Sequence, residues 1–204
     1  MNYLYRMTHI DNIPHILRNG ITHRSDATAN PQYVAIGNTE LITKRMMESV
    51  TTEEGDVFSP GDYIPFYFYA RMPMLYNIQH GYGVKRVSAE DIVYMVLKIE
   101  DVVKNAQEPF YFSDGHAVSR NLVKFYGRSS MDRIDQILDQ DAIKNDDWGD
   151  DYYVGIRKQA EFFVKGPIKT ECIEMLVCYN ESAKTRLESL GVNIPIRVSR
   201  KAYY

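Results

Sequence analysis

The alternation of apolar and polar residues predicts several β-strands in this chain. Residues 63–69 alternate most regularly, with Ile64, Phe66 and Phe68 on one face and three tyrosines on the other. Residues 92–99 are apolar except for Lys98, which is typical of a strand buried on both faces. The same criteria predict further strands at residues 3–7, 110–113, 157–164, 172–179 and 194–198.

Helices are predicted where a capping residue precedes an apolar stripe. Asp11 or Asn12 begins the first helix, and Gly20 ends it. The same signals predict further helices at residues 40–49, from Pro73 onward and at residues 182–190.

The connecting segments suggest a single folding unit. Residues 51–60 form a loop of Gly, Pro and acidic residues that is long enough to act as a mobile lid. No internal repeat or clear linker divides the chain. We therefore expect one α+β domain over residues 1–204.

The strand at residues 63–69 also carries candidate chemistry. Tyr67 lies on the face opposite the Ile/Phe core face, and Arg71 follows the strand. A tyrosine has an apolar ring and a polar tip, so this face has two interpretations. It is either an ordinary central strand whose phenols bond within the core, or the floor of a site for a flat, anionic ligand such as a nucleotide.

Composition narrows the class of partner. The net charge is −3, so any nucleic-acid binding has to come from a local basic patch and not from a global field. The 16 tyrosines, against one tryptophan, suggest ligand-facing surface as well as core. A basic segment at residues 120–133 contains two aromatic residues, which suits either phosphates with stacked bases or a solvated surface.

The cysteines and the apolar runs indicate a compartment. Cys172 and Cys178 share a strand face but lie too far apart along it for a disulfide bond, so both are interpreted as buried thiols of a reducing compartment. Residues 1–10 lack a signal-peptide pattern, and no apolar run is long enough to span a membrane. We expect a cytoplasmic protein.

Several common chemistries are excluded by the motifs that are missing. The sequence has no metal-binding spacing of His and Cys, no glycine-rich phosphate loop and no nucleophilic serine motif. What remains is Glu161, a carboxylate in a predicted strand, together with arginines at the ends of elements. Glu161 is either exposed on an edge strand or partly buried beside an aromatic ring. In the second case it suits a reaction whose transition state is a sugar cation.

Six segments, taken in order, resemble one family. The chain is similar to DarT, the DNA ADP-ribosyltransferase toxin of DarTG toxin–antitoxin systems, in its thymidine-modifying branch. The resemblance covers nearly the whole chain. The segments that carry it are YRMTHIDNIPHIL (5–17), YVAIGNTELITKR (33–45), DYIPFYFYARMPMLYNI (62–78), FSDGHA (112–117), QAEFFV (159–164) and RKAYY (200–204).

This resemblance implies a fold, a reaction and partners. The implied fold is a split β core that holds NAD in a cleft, surrounded by helices. The implied reaction transfers ADP-ribose from NAD, without a metal, to a thymidine base in single-stranded DNA. The implied partner is a DarG antitoxin with a macrodomain, and a monomer is expected. Guanosine, RNA and protein remain alternative acceptors that the loops at residues 22–32 and 51–60 would distinguish, and an inactive nucleic-acid-binding module is a further alternative.

The resemblance also assigns residues. Glu161 corresponds to the catalytic glutamate, and Arg45 to an arginine used at the reacting base. The implied NAD-binding residues are Arg6 (where many relatives have His), Thr8, Asn12, Tyr67, Arg71 and His116. For DNA we expect a local patch of Lys85, Arg86, Arg120, Lys124 and Arg128.

Overall fold

Strands and helices alternate irregularly along the chain, as an α+β fold requires. The computed structural model describes residues 1–106 and 108–204. Within these residues the strands are β1 (Tyr3–His9), β2 (Val50–Thr51), β3 (Val57–Phe58), β4 (Ile64–Tyr67), β5 (Ile92–Lys98), β6 (Phe110–Ser113), β7 (Phe125–Tyr126), β8 (Glu161–Val164), β9 (Ile173–Cys178) and β10 (Ile196–Val198). The α-helices are α1 (Ile13–Asn19), α2 (Thr39–Met46), α3 (Pro73–His80), α4 (Ile99–Asn105), α5 (Ile134–Ile137), α6 (Gln140–Lys144), α7 (Tyr152–Lys158) and α8 (Glu181–Ser189).

Eight of the strands form one mixed sheet. Their order is β10-β9-β5-β1-β4-β8-β6-β7, and every neighbouring pair is antiparallel except β10 with β9. The apolar strand β5 lies between β1 and β9, and its residues are buried on both faces because each face packs against a hydrophobic core. The α+β prediction is therefore confirmed.

The sheet is nearly divided between β1 and β4. The two strands pair at a single position, Tyr5 opposite Tyr67, whereas β1 and β5 pair along their whole length. The Arg6 guanidinium spans the gap and donates from Nη1 to the Pro65 carbonyl at 2.8 Å. This divergence is the expected split of the β core, and it opens a space between the two halves of the sheet.

Alternation along β5 sends side chains into two of the three hydrophobic cores of the described residues. On β5, Val93, Met95 and Leu97 face the larger core, while Tyr94 and Val96 face the core beneath α3. Both cysteines are buried free thiols, as their spacing predicted. In the described part of the chain, no helix is long and apolar enough to cross a membrane.

The segment before β8 differs from the prediction. A strand was expected over residues 157–164, but residues up to Lys158 belong to α7 and the strand begins only at Glu161. Asp151 caps α7 by accepting from the backbone N–H groups of Tyr153 and Val154. This cap stabilises a helix in a sequence whose aromatic and β-branched residues favour strand.

The predicted loop at residues 51–60 is largely ordered as a hairpin. Strands β2 and β3 pair within it, and a short 3₁₀ helix (Pro60–Asp62) follows. The tip is bound through the Glu54 carboxylate, which accepts from the Gly127 N–H at 2.9 Å, the Ser129 hydroxyl at 3.1 Å and the Ser130 hydroxyl at 2.5 Å. The hairpin is therefore attached to the segment after β7.

Removing the Glu54 carboxylate should loosen this hairpin. Glu54→Ala leaves three donors without their acceptor, so we expect amide hydrogen exchange across residues 50–58 to accelerate by roughly tenfold, which corresponds to about 1.4 kcal/mol. Hydrogen-exchange mass spectrometry measures this.

The neighbouring glutamate provides a matched control. Among the residues that the structure describes, the Glu53 carboxylate pairs only with the exposed Lys124 ammonium, and exposed ion pairs contribute little, so Glu53→Ala should leave the exchange rate nearly unchanged. Equal exchange in Glu54→Ala and the wild type would contradict the proposed attachment.

Candidate active site

A cavity of about 560 Å³ opens where β1 and β4 diverge. Its walls are formed by β1, β4, α2, α3 and the segment at residues 22–39. This volume lies within the range of natural ligand sites, which is roughly 300–1,000 Å³. Three arginines line it: Arg6, Arg24 and Arg45. The cavity thus combines size with positive charge, which suits an anionic ligand.

A buried ion pair lies behind the wall of this cavity. The Arg45 Nη2 donates to both carboxylate oxygens of Glu161, at 2.7 and 2.9 Å. The Glu161 side chain is completely buried, and the Ala117 N–H donates to its Oε2 at 3.1 Å. Burying a carboxylate is costly unless it is paired and hydrogen-bonded, and these donors meet that requirement. The alternative of an exposed edge strand is excluded, because β8 lies between β4 and β6.

The segment 113–117 wraps around the carboxylate. The Ser113 hydroxyl accepts from the Glu161 N–H at 3.3 Å and donates to the Gly115 carbonyl at 2.6 Å. Gly115 is required here, because a Cβ on it would lie 2.7 Å from a Val123 methyl carbon. These bonds direct the Ala117 N–H at Glu161.

A glycine contact positions α2 and therefore Arg45. No residue of α2 is buried, so the helix has little apolar anchoring. A Cβ on Gly61 would lie 2.5 Å from the Met46 Cα and 2.7 Å from the Arg45 carbonyl oxygen. The Ser59 hydroxyl also donates to that carbonyl, at 3.2 Å. The absence of a side chain at Gly61 lets the 3₁₀ helix pack directly against the end of α2.

Tyr67 connects the carboxylate to the cavity. It lies opposite Glu161 in the β4–β8 pairing, and it lines the cavity together with Arg45. Burial raises the pKa of the Tyr67 phenol well above 10, and the Glu161 charge raises it further. Tyr67 is therefore a neutral hydroxyl at physiological pH.

The pKa of Arg45 reflects the same environment. Burial alone would lower this pKa, but the charge of Glu161 and its hydrogen bonds reverse the effect, and the Arg45 pKa is raised above its ordinary value. The Arg45 Nε is buried and has no partner among the described residues. Arg45 therefore remains a cation that holds one free donor.

Comparison with known proteins shows which family shares this arrangement. Residues 5–204 match the family model described as "DarT: ssDNA thymidine ADP-ribosyltransferase". The chain belongs to the DarT family. It is an NAD-dependent DNA ADP-ribosyltransferase, and the expected resemblance is confirmed.

Individual relatives agree with this assignment. A protein of Escherichia coli O127:H6 named "DNA ADP-ribosyl transferase" is 34% identical over 187 residues, which cover 91% of this chain and 84% of the relative. A Thermus sp. 2.9 DarT structure with ADP-ribosylated single-stranded DNA superimposes with a TM-score of 0.81 at 27% identity, covering 99% of this chain and 96% of that one. The same protein with NAD⁺ gives a TM-score of 0.77 at 29% identity, covering 99% and 97%.

The cavity fits NAD, the co-substrate of the DarT family. The molecule carries a diphosphate, two sugars and two flat bases. Arg6 and Arg24 line the cavity with cations that would suit the phosphates, and Tyr67 lines it with an aromatic ring that would suit a base. The orphaned Arg45 Nε adds a donor that no protein acceptor among the described residues occupies. No group of His, Cys, Asp and Glu within residues 1–106 and 108–204 is arranged to hold a metal ion.

Two of the predicted NAD-binding residues face a different space. The Asn12 amide donates to the Thr8 hydroxyl and the Val34 carbonyl, and it accepts from the Val34 N–H. Thr8 and Asn12 are buried beside a much smaller hollow next to the main cavity. Asn12 thus fixes the segment that forms the cavity wall, and both of its side-chain N–H donors are already used.

Arg71 also lies outside the cavity lining. Its Nη1 donates to the Asp146 carboxylate at 2.6 Å, and its guanidinium lies 4.5 Å from the centre of the Tyr204 ring. The structure therefore does not bring Arg71 together with Arg6, Arg24 and Arg45. Its predicted role at the NAD phosphates stays a prediction.

The sequence interpretation missed several lining residues. His23, Arg24 and Asn38 line the cavity, although the segment 22–32 was interpreted only as a polar loop on the acceptor side. Burial lowers the pKa of His23, which favours a neutral imidazole. The one signal that could have identified these residues was the pair His23-Arg24 in a polar loop. It is a weak signal, because polar residues of these types are common in loops and helix caps.

The five predicted DNA-binding cations do not form one patch. Arg120 and Lys124 are paired with Glu48 and Glu53 near the hairpin. Arg128 lies over the Phe110 ring, at 4.7 Å. The other two, Lys85 and Arg86, lie in the segment that follows α3. In the same segment, the Gly83 carbonyl accepts from the Asn38 side chain at 3.4 Å. Lys85 and Arg86 therefore lie near the N-terminal end of α2, and Arg120 and Lys124 lie beyond its C-terminal end. Arg128 lies apart from both groups, near the edge of the sheet.

Adding a methyl group at Gly61 should displace Arg45. The Cβ of Gly61→Ala overlaps backbone atoms of α2, so the helix end must shift by about an ångström. Misplacement of a reacting group on this scale costs up to about a hundredfold, and we expect kcat/KM for ADP-ribosyl transfer to fall at least about tenfold.

A second glycine controls for the substitution itself. A Cβ on Gly149 would have no neighbouring atom within 4 Å, so Gly149→Ala should retain wild-type activity. Wild-type kcat/KM in Gly61→Ala would show that this contact does not position Arg45.

His116 should titrate below its ordinary value. Burial lowers the His116 pKa from 6.5, the Glu161 carboxylate partly opposes this effect, and Arg45 adds to it. Replacing Glu161 by Gln removes the anion that favours the imidazolium, so the pKa should fall further. An NMR titration of the His116 ring measures both values, and a wild-type pKa at or above 6.5 would contradict the buried environment.

Proposed function

We propose that the chain transfers ADP-ribose from NAD to a thymine base in single-stranded DNA. The observation that carries this proposal is the fully buried Glu161 carboxylate, held by Arg45 directly behind a cationic cavity of nucleotide size. Family membership supports the acceptor, because the matching family is described by thymidine in single-stranded DNA.

NAD in the cavity would be held by groups of known charge. Arg6 and Arg24 would bind its diphosphate, and Tyr67 would contact the nicotinamide end close to Glu161. NAD supplies an activated glycosidic bond, since nicotinamide is a good leaving group. Because the Arg6 Nη1 is already bonded to the Pro65 carbonyl, its remaining N–H donors would face the ligand.

Glu161 would act on the charge that develops during transfer. When the bond between the ribose and nicotinamide breaks, the bonding electrons leave with nicotinamide and the sugar becomes positively charged. A buried anion stabilises that charge strongly, because the surroundings have a low effective dielectric constant. The Ala117 N–H and Arg45 keep the carboxylate in place without water.

Arg45 would link this charge to the acceptor base. The ring nitrogen of thymine that attacks carries a proton, which has to leave as the new bond to the sugar forms. A cation beside the base carbonyl groups stabilises the negative charge that deprotonation creates. The free Nε of Arg45 is a suitable donor for such a carbonyl, and Glu161 is a nearby base for the proton.

The proposal extends to biological context. A DarT-family enzyme that modifies single-stranded DNA would block replication and act as a toxin. A DarG antitoxin with a macrodomain would counter it by removing ADP-ribose. We propose that residues 1–204 act as one domain and as a monomer in the cytoplasm.

The central test is transfer by a Glu161 variant. The protein is incubated with NAD and single-stranded DNA, double-stranded DNA and RNA oligonucleotides, and mass spectrometry scores the addition of ADP-ribose. We expect an adduct on thymine-containing single-stranded DNA, and a rate at least about a hundredfold lower in Glu161→Gln.

Matched variants decide the interpretation. Glu174 is a half-exposed strand carboxylate paired with Lys98, so Glu174→Gln should retain full activity. Adducts only on RNA, guanine or protein would overturn the thymidine assignment. Undiminished transfer by Glu161→Gln would overturn the role of the buried carboxylate.

A further inference from the structure

Exposed aromatic rings form a stack beside the cavity. Tyr76 and His80 on α3 have ring centroids 4.1 Å apart, and His80 and Tyr82 have nearly parallel rings at 5.7 Å and 12°. His80 is exposed, and Tyr82 is 57% exposed. Large aromatic residues are usually buried, so a pre-formed stack at the surface suggests a flat ligand.

This stack is held rigidly. Trp148 and Tyr204 pack edge-on against the Tyr76 ring, at 5.9 and 5.1 Å. The His80 Nδ1 donates to the Tyr76 carbonyl at 2.8 Å, because a carbonyl oxygen can only accept. The chain reverses at Gly81, whose φ is 78°, and the Tyr82 N–H returns to the Asn77 carbonyl at 2.9 Å. A ligand would therefore meet rings whose positions are already fixed.

The stack approaches the cavity mouth at the C-terminal end of α3. Met74 and Ile78 line the cavity from the face of α3 opposite Tyr76 and His80. The chain then reverses at Gly81, and the Gly83 carbonyl next to Tyr82 accepts from the cavity residue Asn38. The segment 81–83 thus connects the rings to the cavity mouth. A strand with one base in the cavity would reach this surface within a few nucleotides.

The charges at this rim also suit nucleic acid. Lys85 and Arg86 are exposed, and neither forms an ion pair with any residue that the structure describes. Arg120 and Lys124, in contrast, are already neutralised by glutamates. Available cations beside stacked aromatic rings are the combination that binds single strands without reading their sequence.

We propose that Tyr82 and His80, together with Lys85 and Arg86, bind the nucleotides that flank the acceptor base. A flanking base would stack on the exposed face of Tyr82, and the two cations would bind the adjoining phosphates. This inference rests on the proposed function, since it assumes a single-stranded DNA substrate. We call His80, Tyr82, Lys85 and Arg86 the rim surface. Arg120, Lys124 and Arg128, which the sequence analysis placed in one patch with Lys85 and Arg86, do not belong to it.

The test compares substrates of two lengths. Single-stranded oligonucleotides of 5 and 15 nucleotides share the same central modified thymine, and kcat/KM is measured for each. The longer one extends seven nucleotides to each side of the modified thymine and the shorter one only two, so the longer one covers more of the rim surface. Because stacking on an aromatic side chain strengthens binding by roughly tenfold or more per base, the advantage of the 15-mer should fall about tenfold in Tyr82→Ala. Tyr82→Trp should preserve it.

Controls separate a local effect from a general one. Tyr152 is 68% exposed at the start of α7, so Tyr152→Ala should leave the length advantage unchanged. The 15-mer, but not the 5-mer, should slow amide exchange at residues 80–86 of the wild-type protein.

Each negative result has its own meaning. An unchanged advantage in Tyr82→Ala, an equal fall in Tyr152→Ala or no protection at residues 80–86 overturns the rim surface alone. A wild-type protein that modifies no single-stranded DNA of either length overturns the proposed function, and this inference with it.

Discussion

A buried negative charge determines the architecture of this protein. The Glu161 carboxylate is completely inaccessible, and a charge in that position is tolerated only when it is fully paired. Its partners, Arg45 and the Ala117 N–H, come from segments 116 and 44 residues away along the chain. The fold therefore has to bring three distant segments together before the carboxylate is stable. The same requirement assembles the site.

The weakest part of this assembly is also the part that carries Arg45. Helix α2 contributes no buried residue, and it is held by the Gly61 contact, the Ser59 hydroxyl and the ion pair itself. A wall with so little apolar anchoring can adjust to a ligand at low cost. Access to Glu161 requires that adjustment, because Arg45 and Tyr67 line the cavity whereas Glu161 lies behind them.

Local patterns predicted most strands but not the contacts between segments. Alternation and apolar runs place β4 and β5 correctly, since burial on one or both faces follows directly from the residue types. The start of β8 was wrong because the Asp151 cap outweighs local strand preference. Glu161 was identified as a candidate from its place in a predicted strand, whereas its catalytic role and that of Arg45 came from the resemblance. The partners of Arg71 could not be predicted from the sequence, because its ion pair with Asp146 joins residues 75 positions apart.

A protein of net charge −3 can act on DNA only through local contacts, because many of its cations are paired internally. Arg45, Arg71, Arg120 and Lys124 are each neutralised by a carboxylate, so they add little to a long-range field. Affinity for a strand then has to come from a few free cations and from contacts to bases. Stacking is suited to this, because it does not depend on net charge and acts only on bases that are already unpaired. An enzyme built in this way would discriminate against duplex DNA by its means of binding, before any chemistry takes place.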